Sequence, residues 1–262
     1  ATTVLADLSG NWQSAYTSYS TSSADFVQVD VANIFTEDQT MPNVVAGKVT
    51  AGFDAVANGA CASVLGGYYN QAGGSASTVG GGYNNRACGT ESAVAGGSDN
   101  TATASWSNVG GGCSNTASGD TSNVAGGEGN TAFGDCSNVA GGISNAACAD
   151  TSNVAGGISN TTCGTYSNVA GGACNIACGT YSNVAGGCSN TASGACSTVA
   201  GGSGNTVQAT HSSAAIIGST SITSVSGSMI HVERIFASAL PTSDPGVSGV
   251  VWNDSGTLKI SI

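Results

Sequence analysis

The stretch Ser167-Asn168-Val169-Ala170-Gly171-Gly172-Ala173-Cys174-Asn175-Ile176-Ala177-Cys178-Gly179-Thr180-Tyr181 decides the fold. Val169 belongs to a series of ten valines, Val64, Val79, Val94, Val109, Val124, Val139, Val154, Val169, Val184 and Val199, spaced 15 residues apart without a break. Asn70, Asn85, Asn100, Asn115, Asn130, Asn145, Asn160, Asn175, Asn190 and Asn205 keep the same interval, and a Gly-Gly pair follows each valine by two residues. A period this short cannot hold a two-helix repeat or a propeller blade. Each repeat is therefore one turn of a solenoid whose neighbours cover it.

Within one repeat the valine alternates with outward residues at the period of a half-buried strand, the Gly-Gly marks a bend, and Asn-x-Ala-x-Gly supplies a second short strand and turn. Two strands and two bends per 15 residues predict an all-β chain, a narrow parallel β-solenoid of ten coils. At about 4.8 Å per coil, the ten would rise on the order of 45 Å. The valines are the expected core. The asparagines are expected to form a structural ladder, since stacked carboxamides bond along the axis and satisfy the backbone groups of a bend.

Three segments follow. Residues 1–58 lack the repeat and form an N-terminal attachment or neck segment, in which Leu5, Leu8, Trp12, Ala15 and Tyr19 have a helical spacing that Met41-Pro42-Asn43 ends. Residues 59–218 are the solenoid. Residues 219–262 are expected to form a small β cap, with a strand from Ser228 to Phe236 and a hairpin turning at Asn253-Asp254-Ser255-Gly256.

Composition narrows the function. The 262 residues include 41 glycines and only 6% aromatics, so the core is thin, while 7% charged residues and strict register argue against a disordered linker. Net charge is −11, and the four basic residues, Lys48, Arg86, Arg234 and Lys259, are scattered, which excludes a phosphate-neutralising stripe and predicts no nucleic-acid partner. The opening Ala1-Thr2-Thr3-Val4-Leu5-Ala6-Asp7 has no basic or apolar leader pattern, and no apolar run reaches spanning length. The expectation is a chain without signal peptide or membrane insertion.

The only histidines are His211 and His231, and no nucleophile, base and acid assemble in the pattern, so the chain is read as a non-enzyme with no cofactor. Asp120, Asp135 and Asp150 share one column on successive coils. They form the weak candidate for a metal, against the simpler reading of three solvated carboxylates. Trp106, Tyr166 and Tyr181 share a variable column beside Cys61, Cys136 and His211, with Tyr68 and Tyr83 in another, and are the candidate surface for stacking on a host-surface glycan. The ten cysteines follow the columns, as Cys88, Cys148, Cys163 and Cys178 do, and are read as small apolar filler rather than as a disulfide or zinc framework.

One Val and one or two Ala per coil cover little apolar area against the entropy of ordering fifteen residues, which predicts further burial against other copies and an obligate homo-oligomer. The repeat Ser167-Asn168-Val169-Ala170-Gly171-Gly172 with Asn175, Ala177 and Gly179 resembles the head repeats of trimeric autotransporter adhesins. It is more similar still to Val-x-Gly-Gly-x-x-Asn-x-Ala-x-Gly repeats of bacterial and viral fibre proteins. That resemblance implies a left-handed parallel β-roll and a homotrimer; Gly in place of the adhesin Ile, and a period of 15, depart from the adhesin pattern.

The flanks resemble the viral side of this group: Asn11-Trp12-Gln13-Ser14-Ala15-Tyr16-Thr17 is similar to segments of phage appendage proteins, and Leu240 to Gly246 with Trp252 to Lys259 to terminal segments of phage structural proteins. They imply a bacteriophage structural protein, made in the host cytoplasm and carried on the virion as a tail fibre or capsid decoration. It would be held by other virion proteins through a terminal segment and act in host attachment. The alternatives are a bacterial surface adhesin head fragment and an ice-binding solenoid, for which Thr101, Thr116, Thr131, Thr161, Thr191 and Thr206 are the candidate column, broken by Gln71, Arg86, Ala146 and Ile176.

Overall fold

A computed structural model describes residues 49–218, 220–224, 230–232, 242–243, 245–246, 248, 251–254 and 257–260. The chain divides into two units, Ala1–Val45 and Ala46–Ile262, and all described residues belong to the second. The helical neck expected between Leu5 and Tyr19 lies outside the described residues, as do Ser228, Met229 and residues 233–236 of the strand expected from Ser228 to Phe236, and Ser255-Gly256 of the expected hairpin turn.

The described chain is a parallel β-solenoid with one turn per 15 residues. One 13-stranded sheet stacks Val49–Phe53, Ser63–Tyr68, Thr78–Val79 and their successors as far as Ile230–Val232. An 11-stranded sheet stacks Val56–Ala57 through Thr206–Val207, giving eleven coils. Registers hold at 15 residues, as in Val124↔Val139 and Ala117↔Ala132. A third line of single parallel bridges runs from Tyr68↔Tyr83 to Ser203↔Thr220.

Pairing extends beyond the repeat signature at both ends. Thr50 stands opposite Val64, so the solenoid starts before the first signature valine, and Ile230–Val232 joins the same sheet against Ala215–Ile217. A ladder of backbone bonds needs no particular side chain, and these coils carry no motif to announce them. Val251–Asp254 and Thr257–Ile260 form the antiparallel hairpin.

The core is one column of valine facing one column of alanine. Val64 to Val199 and Ala72 to Ala192 are fully buried, as is Thr162 where it takes the alanine position. Each coil closes through a four-residue turn such as Gly119–Ser122. The Ser122 amide donates to the Gly119 carbonyl at 3.1 Å, with Thr121 between them at φ +59°. The other bend needs glycine. Gly127 has φ +92°, and a Cβ there would collide with the Gly142 carbonyl oxygen and the Asn130 amide, so no side chain fits in either conformation or space.

Candidate functional surfaces

The ten asparagines are buried and hold the glycine bends. Asn130 is representative. Its Nδ2 donates to the carbonyl oxygens of Gly126 at 2.9 Å and Gly142 at 2.8 Å, while its Oδ1 accepts from the backbone amide of Asn145 at 2.9 Å. A bend that turns carbonyls inward needs two donors and one acceptor on a short side chain, which is the inventory of a carboxamide. The series ends where Asn205 Oδ1 accepts from the Ile222 amide at 2.9 Å, since Ile222 stands in the next asparagine position and packs against the core.

A second ladder runs outside the core. Asn108, Asn123, Asn138, Asn153, Asn168 and Asn183 lie half-buried beside the valines, and each Nδ2 except the last donates to the Oδ1 of the next at 2.7 to 2.8 Å. Sequence reading did not single it out, although six asparagines recurring immediately before valine were its signal.

The acidic column lies on an exposed turn, where each carboxylate serves its neighbour. Asp120 Oδ1 accepts from the Ser105 amide at 3.1 Å, Asp135 Oδ1 from the Asp120 amide at 2.9 Å, and Asp150 Oδ1 from the Asp135 amide at 3.1 Å. The partner of each charge is thus a backbone N–H of the coil before. Among the described residues no group of three or more His, Cys, Asp or Glu is placed to hold a metal ion.

The aromatic column is exposed but does not form one platform. Trp106 lies four coils from Tyr166, and its Nε1 donates to Glu91 Oε2 at 3.1 Å. Tyr166 and Tyr181 stack on each other with centroids 4.9 Å apart and planes 3° from parallel, so each covers one face of the other. His211 leaves this column altogether. Val199 pairs with Ile216, two residues beyond the regular interval, and Ser213 takes the turn position with φ +56° and its amide donated to Ala195. His211 Nδ1 instead meets Ser224 Oγ at 2.7 Å. A denser aromatic group sits at the first coils, where Phe53 contacts Tyr68 and Tyr69, and Tyr69 contacts Tyr83 edge-on.

The cysteines are not core filler. Seven of the eight free cysteines are exposed and Cys88 is half-buried. Cys88 and Cys148 follow the inward alanine of a strand and so point outward, while Cys61, Cys136, Cys174 and Cys196 sit at positive-φ turn positions. Cys163 and Cys178, on successive coils, form a disulfide with Cα atoms 4.3 Å apart.

No protein-family model and no curated protein matches the chain. Any functional reading therefore rests on the residues themselves. No helix among the described residues is long and apolar enough to cross a membrane.

Proposed function

We propose that this chain is a non-enzymatic structural component of a virion, a homotrimeric fibre of tail or capsid that acts in host attachment by shape and avidity. The observation that carries the reading is an uncharged, exposed line on the strand that buries valine: Ala95, Ala125 and every fifteenth residue from Ala140 to Ala200. These methyl groups face outward in the single chain, and exposed Leu65 and Ile217 extend the apolar line at its two ends. Two further copies packed along this line would supply the burial that the thin core lacks. Columns that vary, and the two ends, are left to contact host-surface glycans and other virion proteins.

Sedimentation tests the assembly. The wild-type chain runs as a trimer, and Ala140→Glu with Ala170→Glu, both at exposed positions, lowers the mass to that of one chain. A stably folded wild-type monomer overturns the trimer. An antibody against the coils decorates intact virus particles; labelling of bacterial cell surfaces without particle labelling replaces the virion reading with that of a surface adhesin.

A further inference from the structure

We propose that Cys148, Cys163 and Cys178 form a thiol–disulfide exchange site in which one disulfide moves between two positions along the solenoid. The three residues occupy one outward column on three successive coils. Ala147 pairs with Thr162 and Thr162 with Ala177, which places each cysteine directly over the next. Cys163 and Cys178 are joined, and Cys148, the third member, is free and exposed. Phe133 and Ser193 occupy the column on either side, and Cys88 is cut off by Thr103, Ser118 and Phe133, so the site has three members.

The geometry suits displacement at sulfur. The stacking places Cys148 one coil from Cys163 on the side away from Cys178, the side from which a thiolate attacks Cys163 Sγ with Cys178 as leaving group. The Cys148–Cys163 S–S bond forms as the Cys163–Cys178 bond breaks, and the electron pair leaves on Cys178 as thiolate. Two sulfurs stay oxidised and one stays reduced, so no external oxidant or reductant takes part. The proton lost by Cys148 is matched by one gained at Cys178.

The backbone does not have to move. Cys148, Cys163 and Cys178 donate their amides to Thr162, Ala177 and Ala192 at 2.8 to 2.9 Å, the same ladder in every coil. Either disulfide closes a loop of the same length, so loop entropy favours neither. Partial burial pushes the Cys148 thiol pKa up, and exchange is therefore best followed in mildly alkaline buffer.

The test is acid-quenched alkylation of the full oxidised chain, followed by non-tryptic digestion and mass spectrometry. In wild type, label appears at both Cys148 and Cys178, in amounts within about tenfold of each other given equal loops. Cys178→Ser yields the Cys148–Cys163 disulfide. Cys148→Ser leaves the Cys163–Cys178 disulfide intact and Cys178 unlabelled. Cys163→Ser leaves both outer cysteines free, since two coils separate them by more than a disulfide spans. The proposal is overturned if wild type labels only Cys148, if Cys178→Ser forms no disulfide while its β-sheet signal is native, or if Cys178 is labelled equally in Cys148→Ser.

Discussion

Asn130 donates its side-chain amide to the carbonyl oxygen of Gly142, one coil onward, at 2.8 Å, and so ties two successive bends together from inside the solenoid. The same amide group holds Gly126 in its own coil, and the carboxamide oxygen receives the Asn145 N–H. Asn130→Ala removes three bonds at once and leaves the buried Asn145 amide and the Gly126 carbonyl unpaired, while the Gly142 carbonyl keeps the Glu128 N–H at 2.9 Å. The expected loss is about 3 to 5 kcal/mol, read as a shift in the urea midpoint. Because each coil contacts only its neighbours, amide exchange should rise first in the coils around residue 130. A uniform rise along the solenoid would contradict a locally acting ladder.

The two glycines of one bend should respond differently. Gly127→Ala forces a side chain into φ +92° and against the Gly142 carbonyl, and should cost roughly 3 kcal/mol or more. Gly126→Ala meets only the Gly111 oxygen, at 4.0 Å, and should stay within about 0.5 kcal/mol of wild type. Thermal melts of the two variants, measured side by side, decide the point.

Thr162 interrupts the alanine column, and its Oγ1 donates to Ser152 Oγ at 3.0 Å. The apolar core divides there into one cluster ending at Val154 and another starting at Val169. Thr162→Val keeps the shape but strips the donor, and should cost about 1 kcal/mol. Adding Ser152→Ala removes the stranded partner and should recover most of it, so the coupling in a double-mutant cycle is the measurement. The comparison is informative because the buried hydroxyls of Ser122, Ser137, Ser167, Ser182 and Ser197 have no partner and the coils holding them are otherwise regular.

Asp99 accepts from Ser98 Oγ at 2.6 Å and from Asn84 Nδ2 at 2.7 Å, and these bonds, Ser98 foremost, hold its carboxyl pKa below the ordinary value. A depressed folded-state pKa contributes stability above the unfolded value, and that contribution fades as pH falls through the folded one. Titration by carbon-detected NMR should show Ser98→Ala raising the Asp99 pKa further than Asn84→Ala does. Equal shifts would mean that the two bonds act alike.

Much of the solenoid was legible in the chain because a stacked coil has little freedom. Val124 recurs at Val139 because a parallel ladder places identical positions over one another, so one period read from the sequence sets register, strand order and the inward columns together. The bend was legible for the same reason, since a Gly-Gly and a following asparagine recur only where backbone conformation and hydrogen bonding require them.

What the sequence alone could not decide depends on which way each column faces and what stands one coil away. Cys88 and Cys148, read as filler, lie outside because an alternating strand turns them from the alanines beside them, and Cys61, Cys136 and Cys196 lie outside on the turn. His211 left the aromatic column because two extra residues between Val199 and Ile216 shift the turn. The acidic column, read as three solvated carboxylates or a weak metal candidate, is tied to the backbone, each carboxylate accepting an N–H of the preceding coil. The 15-residue interval determined the path of the backbone, which neighbouring coils enforce through identical bonds. Only the tertiary structure decided the partners of the variable side chains, because those depend on side-chain direction and on single insertions that periodicity does not record.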